Sequence, residues 1–143
     1  MTMQPSPKCI ALIQEFEGCK LKAYQDTKGK WTIGYGHTFG VYPGLSITQN
    51  QANTFLQDDA QNAASLVSKY VTSTLNQNQF DALVSFSFNE GIVRLAGSTL
   101  LELVNAGDFR GAAAEFAKWD LSGSVIEPGL VRRRAAERAL FLS

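Results

Sequence analysis

Two carboxylates and a hydroxyl fall within one short stretch, Glu17 to Thr38, which reads EGCKLKAYQDTKGKWTIGYGHT. Glu17 stands nine positions before Asp26, and Thr32 six positions after it. Such a set can do general acid–base work. One carboxyl delivers a proton to a leaving oxygen, and the other, with the hydroxyl, holds a water or steadies positive charge at the reacting carbon. Cleavage of a glycosidic bond makes these demands. A carboxyl separation of about 6.5–9.5 Å leaves room for the water and inverts the product, whereas about 5–5.5 Å lets the second carboxylate attack directly. Two acids at this spacing are, judged alone, most often surface charges, so the signal has to come from their setting.

That setting begins with a helix. Ser6-Pro7 is a start signal, serine as the cap and proline at the first helical position. Cys9, Ile10, Leu12, Ile13 and Phe16 recur at helical spacing, and Gly18 supplies a stop. Glu17 is thus predicted to be the last side chain of an amphipathic helix, a rigid mount for a catalytic group. A general acid must keep its proton until it is needed. Partial burial in a cleft favours that, as would the like charges of Glu15 and Glu90 if they lie close. Ala23–Asp26 and Trp31–Ile33 then read as strands around Thr27-Lys28-Gly29-Lys30. A hairpin centred on Gly29 puts Asp26 directly opposite Thr32, with Cβ atoms about 4.5–5.5 Å apart. Gly34, Gly36, Gly40 and Gly44 make the next segment loop-like, and Gly36 is a place where backbone can approach a ligand.

From Ser46 onward the pattern is helical. Thr48 to Gln51 resembles a capping box, and a long helix follows to about Lys69, with Ala52, Phe55, Leu56, Ala60, Ala63, Leu66 and Val67 on one side. Asn76 caps a helix from Gln79 to Phe88 that is apolar nearly all round, as a central core helix would be. Shorter helices are predicted from Ser98 to Val104 and, capped by Asp108, from Phe109 to Trp119. Asp120 to Gly129 reads as a loop. Leu130 to Phe141 closes the chain as a helix with Arg132, Arg133, Arg134 and Arg138 mostly outward.

Composition sets the outer bounds. The 143 residues suffice for one compact domain, and 45% hydrophobic with 18% charged residues is ordinary for a globular protein. No apolar run approaches the roughly 20 residues of a membrane span. The N-terminal apolar segment is short and interrupted by Gln14 and Glu15, unlike a signal peptide. The folded chain is therefore expected to stay in the cytoplasm until something else releases it. Thirteen basic and thirteen acidic residues cancel, but residues 129–143 carry four Arg against one acid. A basic face there could attract an anionic polymer, and a solvated helix surface explains it equally well. Nucleic-acid binding is disfavoured by the neutral balance and the lack of a reading motif. Cys9 and Cys19 form no zinc-type spacing, and both are expected to be free thiols without a catalytic role. No metal and no cofactor are expected.

The stretch resembles the signature of the phage-type lysozymes, the endolysins of glycoside hydrolase family 24. That signature is Glu, eight residues, Asp, five residues, Thr, then Ile-Gly-x-Gly-His, met here by Glu17, Asp26, Thr32, Ile33, Gly34, Gly36 and His37. Gln79–Gly91, Ser98–Phe109 and Gly129–Phe141 look like the later helices of the same family. The resemblance implies an α+β, mostly helical, lysozyme-like fold. Its parts are a small N-terminal lobe with a short β-hairpin sheet, a long connecting helix and a larger helical C-terminal lobe. The expected division is one domain over 1–143, with the active-site β lobe at 15–60 and the helical lobe at 1–14 and 70–143. It further implies hydrolysis of the β-1,4 link between N-acetylmuramic acid and N-acetylglucosamine in peptidoglycan. Glu17 is then the acid, with Asp26 and Thr32 positioning the water, and inversion is the stereochemical expectation. Asn89 falls where relatives place a cleft-facing amide, though a helix C-cap would suit it as well. His37 is expected to pair with an acid of the long helix, Asp59 before Asp58. A monomer is expected, released to the periplasmic wall by a separate, holin-like membrane-permeabilising partner, with no stable membrane insertion. Two rivals remain open. A lytic transglycosylase needs only one acid, so Asp26 and Thr32 argue against it; an inactive wall-binding module has no need of the intact set.

Overall fold

A computed structural model describes residues 3–143, so Met1 and Thr2, counted above in the helical lobe, lie outside the described residues. Helix α1 runs Pro7–Glu17 and ends at Gly18, as its sequence signals predict. Strands β1 (Lys20–Gln25) and β2 (Trp31–Gly34) pair antiparallel. A third segment joins β1 on its other edge, through Ala23 N to Leu45 O and Ile47 N to Leu21 O, both 2.9 Å. Helix α2 (Gln49–Tyr70) starts from the expected capping box of Thr48 and Gln51. Its 22 residues span about 33 Å at the α-helical rise. Then come α3 (Gln77–Glu90), α4 (Ile92–Ala96), α5 (Thr99–Asn105), α6 (Phe109–Glu115), a 3-10 turn over Phe116–Lys118, and α7 (Pro128–Leu142). A small hairpin of β3 (Leu121–Ser122) and β4 (Val125–Ile126) interrupts the segment expected to be plain loop. Helix α4 was also not foreseen, because five residues are too few to display a period.

Two hydrophobic cores form. The small one gathers Ile33, Ile47 and Ala52, with Ala23, Leu45 and Phe55 against them. The large one takes Cys9 and Ile13 of α1, Leu56 to Val67 of α2, and residues of α3 to α7. Helix α3 is its axis, buried continuously from Phe80 to Ser87 as its all-round apolar character predicts. Phe86 meets Phe116 and Trp119 edge-on, with centroids 5.9 and 5.4 Å apart. Tyr35 packs on both cores. Helix α2 runs from one core to the other, which makes it the connecting element of an α+β, mostly helical fold.

Ser6 and Gln4, just ahead of α1, are tied to α3 by polar contacts. Buried Asp81 on α3 accepts from Ser6 N at 3.1 Å, from the Ser6 hydroxyl, and from Gln77 Nε2 at 2.8 Å. The chain entering α1 is thereby fixed to the middle of the core helix, and Glu17 at the far end of α1 inherits a defined place.

Candidate active site

Glu17, Tyr24, Asp26, Lys30, Thr32, Gly36, Thr38, Phe88, Asn89, Glu90 and Gly91 line one cleft of about 530 Å³. All five residues singled out from the sequence are among them. The hairpin and the turn after it make one wall, and the C-terminal end of α3 makes the other.

On the hairpin wall the register differs from the expected one. Thr32 faces Tyr24, and Asp26 N donates to Lys30 O at 2.9 Å. Asp26 therefore opposes Lys30, and Thr32 is its diagonal neighbour on the same face. The reason is that Asp26 itself closes the turn. Its carbonyl accepts from Gly29 N at 2.9 Å, and its Oδ1 accepts from Lys28 N at 2.9 Å and Lys30 N at 2.8 Å. Diagonal Cβ atoms lie about 7–8 Å apart, so a water must bridge the two groups rather than touch a joined pair. The bonding fits that task. Asp26 Oδ2 accepts no protein hydrogen bond among the described residues. The Thr32 hydroxyl donates to Lys30 O at 2.9 Å, so toward the cleft it acts as an acceptor.

Glu17 comes from the end of α1. Arg133 of α7 donates to its Oε2 through Nη1 at 2.5 Å, and the arginine is only 3% exposed. Gly36 lies against the other oxygen: a Cβ built there would stand 2.5 Å from Glu17 Oε1. The Gly36 φ of +72° is also one that side chains rarely adopt. The glycine anticipated as a ligand contact is thus also the space into which the acid fits. It closes a turn in which Ile33 and His37 exchange backbone bonds at 2.8 and 2.9 Å. His37 Nδ1 lies 2.7 Å from Asp59 Oδ2, the partner expected from the sequence, and its ring stacks on Phe55 at 4.2 Å. The histidine thereby clamps the turn to α2.

Asn89 is held from behind. Arg134 Nη2 donates to its Oδ1 at 2.8 Å, which assigns the carbonyl to the arginine and leaves the NH2 as the donor available to the cleft. Arg134 also reaches Glu90 Oε1 at 3.3 Å. The helix ends one residue later, with Gly91 N bonded to Ser87 O, so Asn89 is not the C-cap.

The structure corrects one sequence expectation on α7. Arg133 and Arg134 do not face solvent; they are 3% and 1% exposed. Both turn inward because Glu137 is wholly buried beside them and because Glu17, Asn89 and Glu90 lie beyond. No basic face forms from those two. Tyr24 was also missed, having no signal beyond lying in a strand. Burial first, then the carboxylates of Glu17 and Asp26, push its hydroxyl above the ordinary value of 10.0. Lys20 Nζ sits 4.2 Å from the centre of its ring.

A family model described as Phage lysozyme matches residues 14–137, which contain the whole cleft. This chain belongs to the phage lysozyme family. Its relatives include an endolysin of Acyrthosiphon pisum secondary endosymbiont phage 1, 46% identical over 99% of both chains. An endolysin of Bacillus phage B103 is also 46% identical, over 99% of this chain but only 55% of its own length. Among solved structures, the muramidase domain of SpmX from Asticaccaulis excentricus superposes with a TM-score of 0.92, at 39% identity and 98% coverage of each chain. The phage lysozyme fold accounts for the small hairpin lobe, the long helix and the helical lobe together.

Proposed function

We propose that this phage lysozyme family member is an endolysin that hydrolyses peptidoglycan at the link between N-acetylmuramic acid and N-acetylglucosamine. Glu17 protonates the leaving oxygen. Asp26 Oδ2 takes a proton from the attacking water, whose other hydrogen is accepted by the Thr32 hydroxyl. The observation that carries this reading is the division of bonding around Asp26. One oxygen is committed to the turn and the other is left toward the cleft, beside a hydroxyl that can only accept there. A water so held attacks from the face opposite the leaving group, so the product anomer is inverted. The Asn89 NH2 and the Gly36 turn contact the bound sugar. Family membership and full-length likeness to endolysins support the substrate.

The same reading divides the single domain into an active-site lobe at 15–60 and a helical lobe at 1–14 and 70–143. It has the enzyme act as a monomer on the periplasmic wall, held in the cytoplasm until a holin-like partner opens the membrane. No helix among the described residues is long and apolar enough to cross a membrane.

The deciding experiment is product analysis on purified peptidoglycan with wild type and Glu17→Gln. Reducing N-acetylmuramic acid ends from wild type alone are the expected result. Anhydro ends would turn the assignment to a transglycosylase, and a fully active Glu17→Gln enzyme would remove Glu17 from the chemistry.

A further inference from the structure

Glu137 sits on α7 with no solvent exposure, at the centre of a set of charges. Ser85 Oγ donates to its Oε2 at 2.6 Å, Arg134 Nη2 at 3.2 Å and Arg133 Nε at 3.4 Å. Its Oε1 lies 2.8 Å from Arg134 Nε but off the hydrogen-bonding direction, so this contact is mainly Coulombic. Each arginine also extends a donor to a residue of the cleft. Arg133 reaches Glu17 through Nη1, with Nη2 on Ser85 O at 3.2 Å. Arg134 lies over the Phe86 ring at 4.9 Å and reaches Asn89 and Glu90. Two consecutive guanidiniums repel each other, and among the described residues only Glu137 is ion-paired with both.

Buried ion networks of this type are seldom the most stable solution. Well-packed apolar side chains of similar volume often do as well or better. Here every outward end of the network finishes on a residue that lines the cleft. We propose that Glu137 is a positioning residue for the reaction: through Arg133 it seats Glu17, and through Arg134 it turns the Asn89 amide toward the substrate. The proposal rests on the reading of Glu17 as the acid and Asn89 as a sugar contact. One carboxylate out of reach of substrate thereby fixes the proton donor and a binding donor relative to each other.

The groups facing Glu17 are Arg133 from α7, Tyr24 from β1 and the Gly36 turn, with Glu90 on the same cleft. Those facing Glu137 are Arg133, Arg134 and Ser85, with Cys9 and its neighbour Asp81 behind. Removing the charge of Glu137 takes away the carboxylate that both guanidiniums share, leaving Arg133 with Glu17 and Arg134 with Glu90, so the Arg133 charge falls more fully on Glu17. The alkaline limb of the pH–rate profile should then move to lower pH by about one unit, a tenfold loss of rate on that limb. The test compares wild type with Glu137→Gln, and with Ser85→Ala, which keeps the charge and removes the hydroxyl that donates to Glu137 and accepts from Arg133 Nη2 at 3.4 Å. Ser85→Ala should shift the limb in the same direction by less, and it covers the case in which Glu137→Gln folds poorly. Alongside, melting temperatures are measured for Glu137→Gln, Glu17→Gln and the double variant, which needs no activity. Non-additive changes are expected, because both substitutions act on Arg133. Additive melting temperatures, or profiles that superimpose on wild type, overturn the proposal. If Glu17→Gln retains full activity, the acid assignment fails by itself, and the melting cycle still reports whether Glu137 and Glu17 are linked.

Discussion

On the hairpin wall of the cleft, Asp26 and Thr32 are fixed by main chain: two amides on Asp26 Oδ1 and one carbonyl under the Thr32 hydroxyl, all within six residues of sequence. On the helical wall, Glu17 and Asn89 are fixed by the side chains of Arg133 and Arg134, 116 and 45 residues away. The first arrangement is local and built on main-chain partners, with Asp26 half-buried and Thr32 buried, so it asks little of distant parts of the protein. The second takes charges out of water. Burial lowers the pKa of Arg134 and raises that of Glu137, each opposed by attraction to the other. Its integrity depends on α1, α3 and α7 packing together. The two walls should therefore fail differently: the hairpin wall loses chemistry without stability, and the helical wall loses both.

The largest expected separation comes from Asp26→Asn. Its amide oxygen can still accept from Lys28 N and Lys30 N, so the melting temperature should hold while release of reducing ends drops about 10³-fold. A melting loss comparable to that of an α7 variant would erase the distinction between the walls. Next is Arg134→Met, which leaves Glu137 with half its compensation in the core. Urea unfolding should show a loss of about 3–5 kcal/mol, and a change under 1 kcal/mol would mean the network is not under electrostatic load. Gly36→Ala lies between the two classes. The strained φ alone costs about 1–3 kcal/mol, and the added Cβ must also push Glu17 Oε1 aside. Activity should fall along with stability, whereas a stability loss with unchanged kcat would show that the acid tolerates displacement.

The smallest effect is a pH dependence. Burial pushes the Cys9 thiol up from 9.0 to about 12, with Asp81 and Glu137 adding to the rise and Arg133 opposing it. Between those values the unfolded thiol ionises while the folded one keeps its proton. Stability therefore falls as pH rises, by about 1.4 kcal/mol per unit from roughly pH 9. Cys9→Ala should flatten that slope in urea titrations above pH 9. An unchanged slope would assign the alkaline loss to another group.

The same contrast decides what could be read from sequence. The helix ending at Glu17, the capping box at Thr48, the buried run of α3 and the hairpin all follow from short-range rules, and each stands close to where those rules put it. The register of Asp26 was missed by two residues because the aspartate side chain joins the turn, which strand periodicity does not reveal. The His37–Asp59 contact was anticipated through family resemblance. The sequence places Arg133 and Arg134 outward because Arg-Arg-Arg-Ala-Ala-Glu at helical spacing is what an exposed helix also shows, and nothing in it singles out Glu137. Only the acids brought up by α1 and α3 turn those arginines inward, and no local pattern encodes that meeting.

The link between Glu17 and Arg133 also has a bearing on synthesis. The acid leaves the ribosome in the first helix, and the cation that seats it leaves in the last. A chain stalled or clipped before α7 carries every residue of the catalytic signature yet lacks the element that completes its acid. Chain order thus delays the acid's partner: Glu17 is made early and must wait for α7 before Arg133 can hold it.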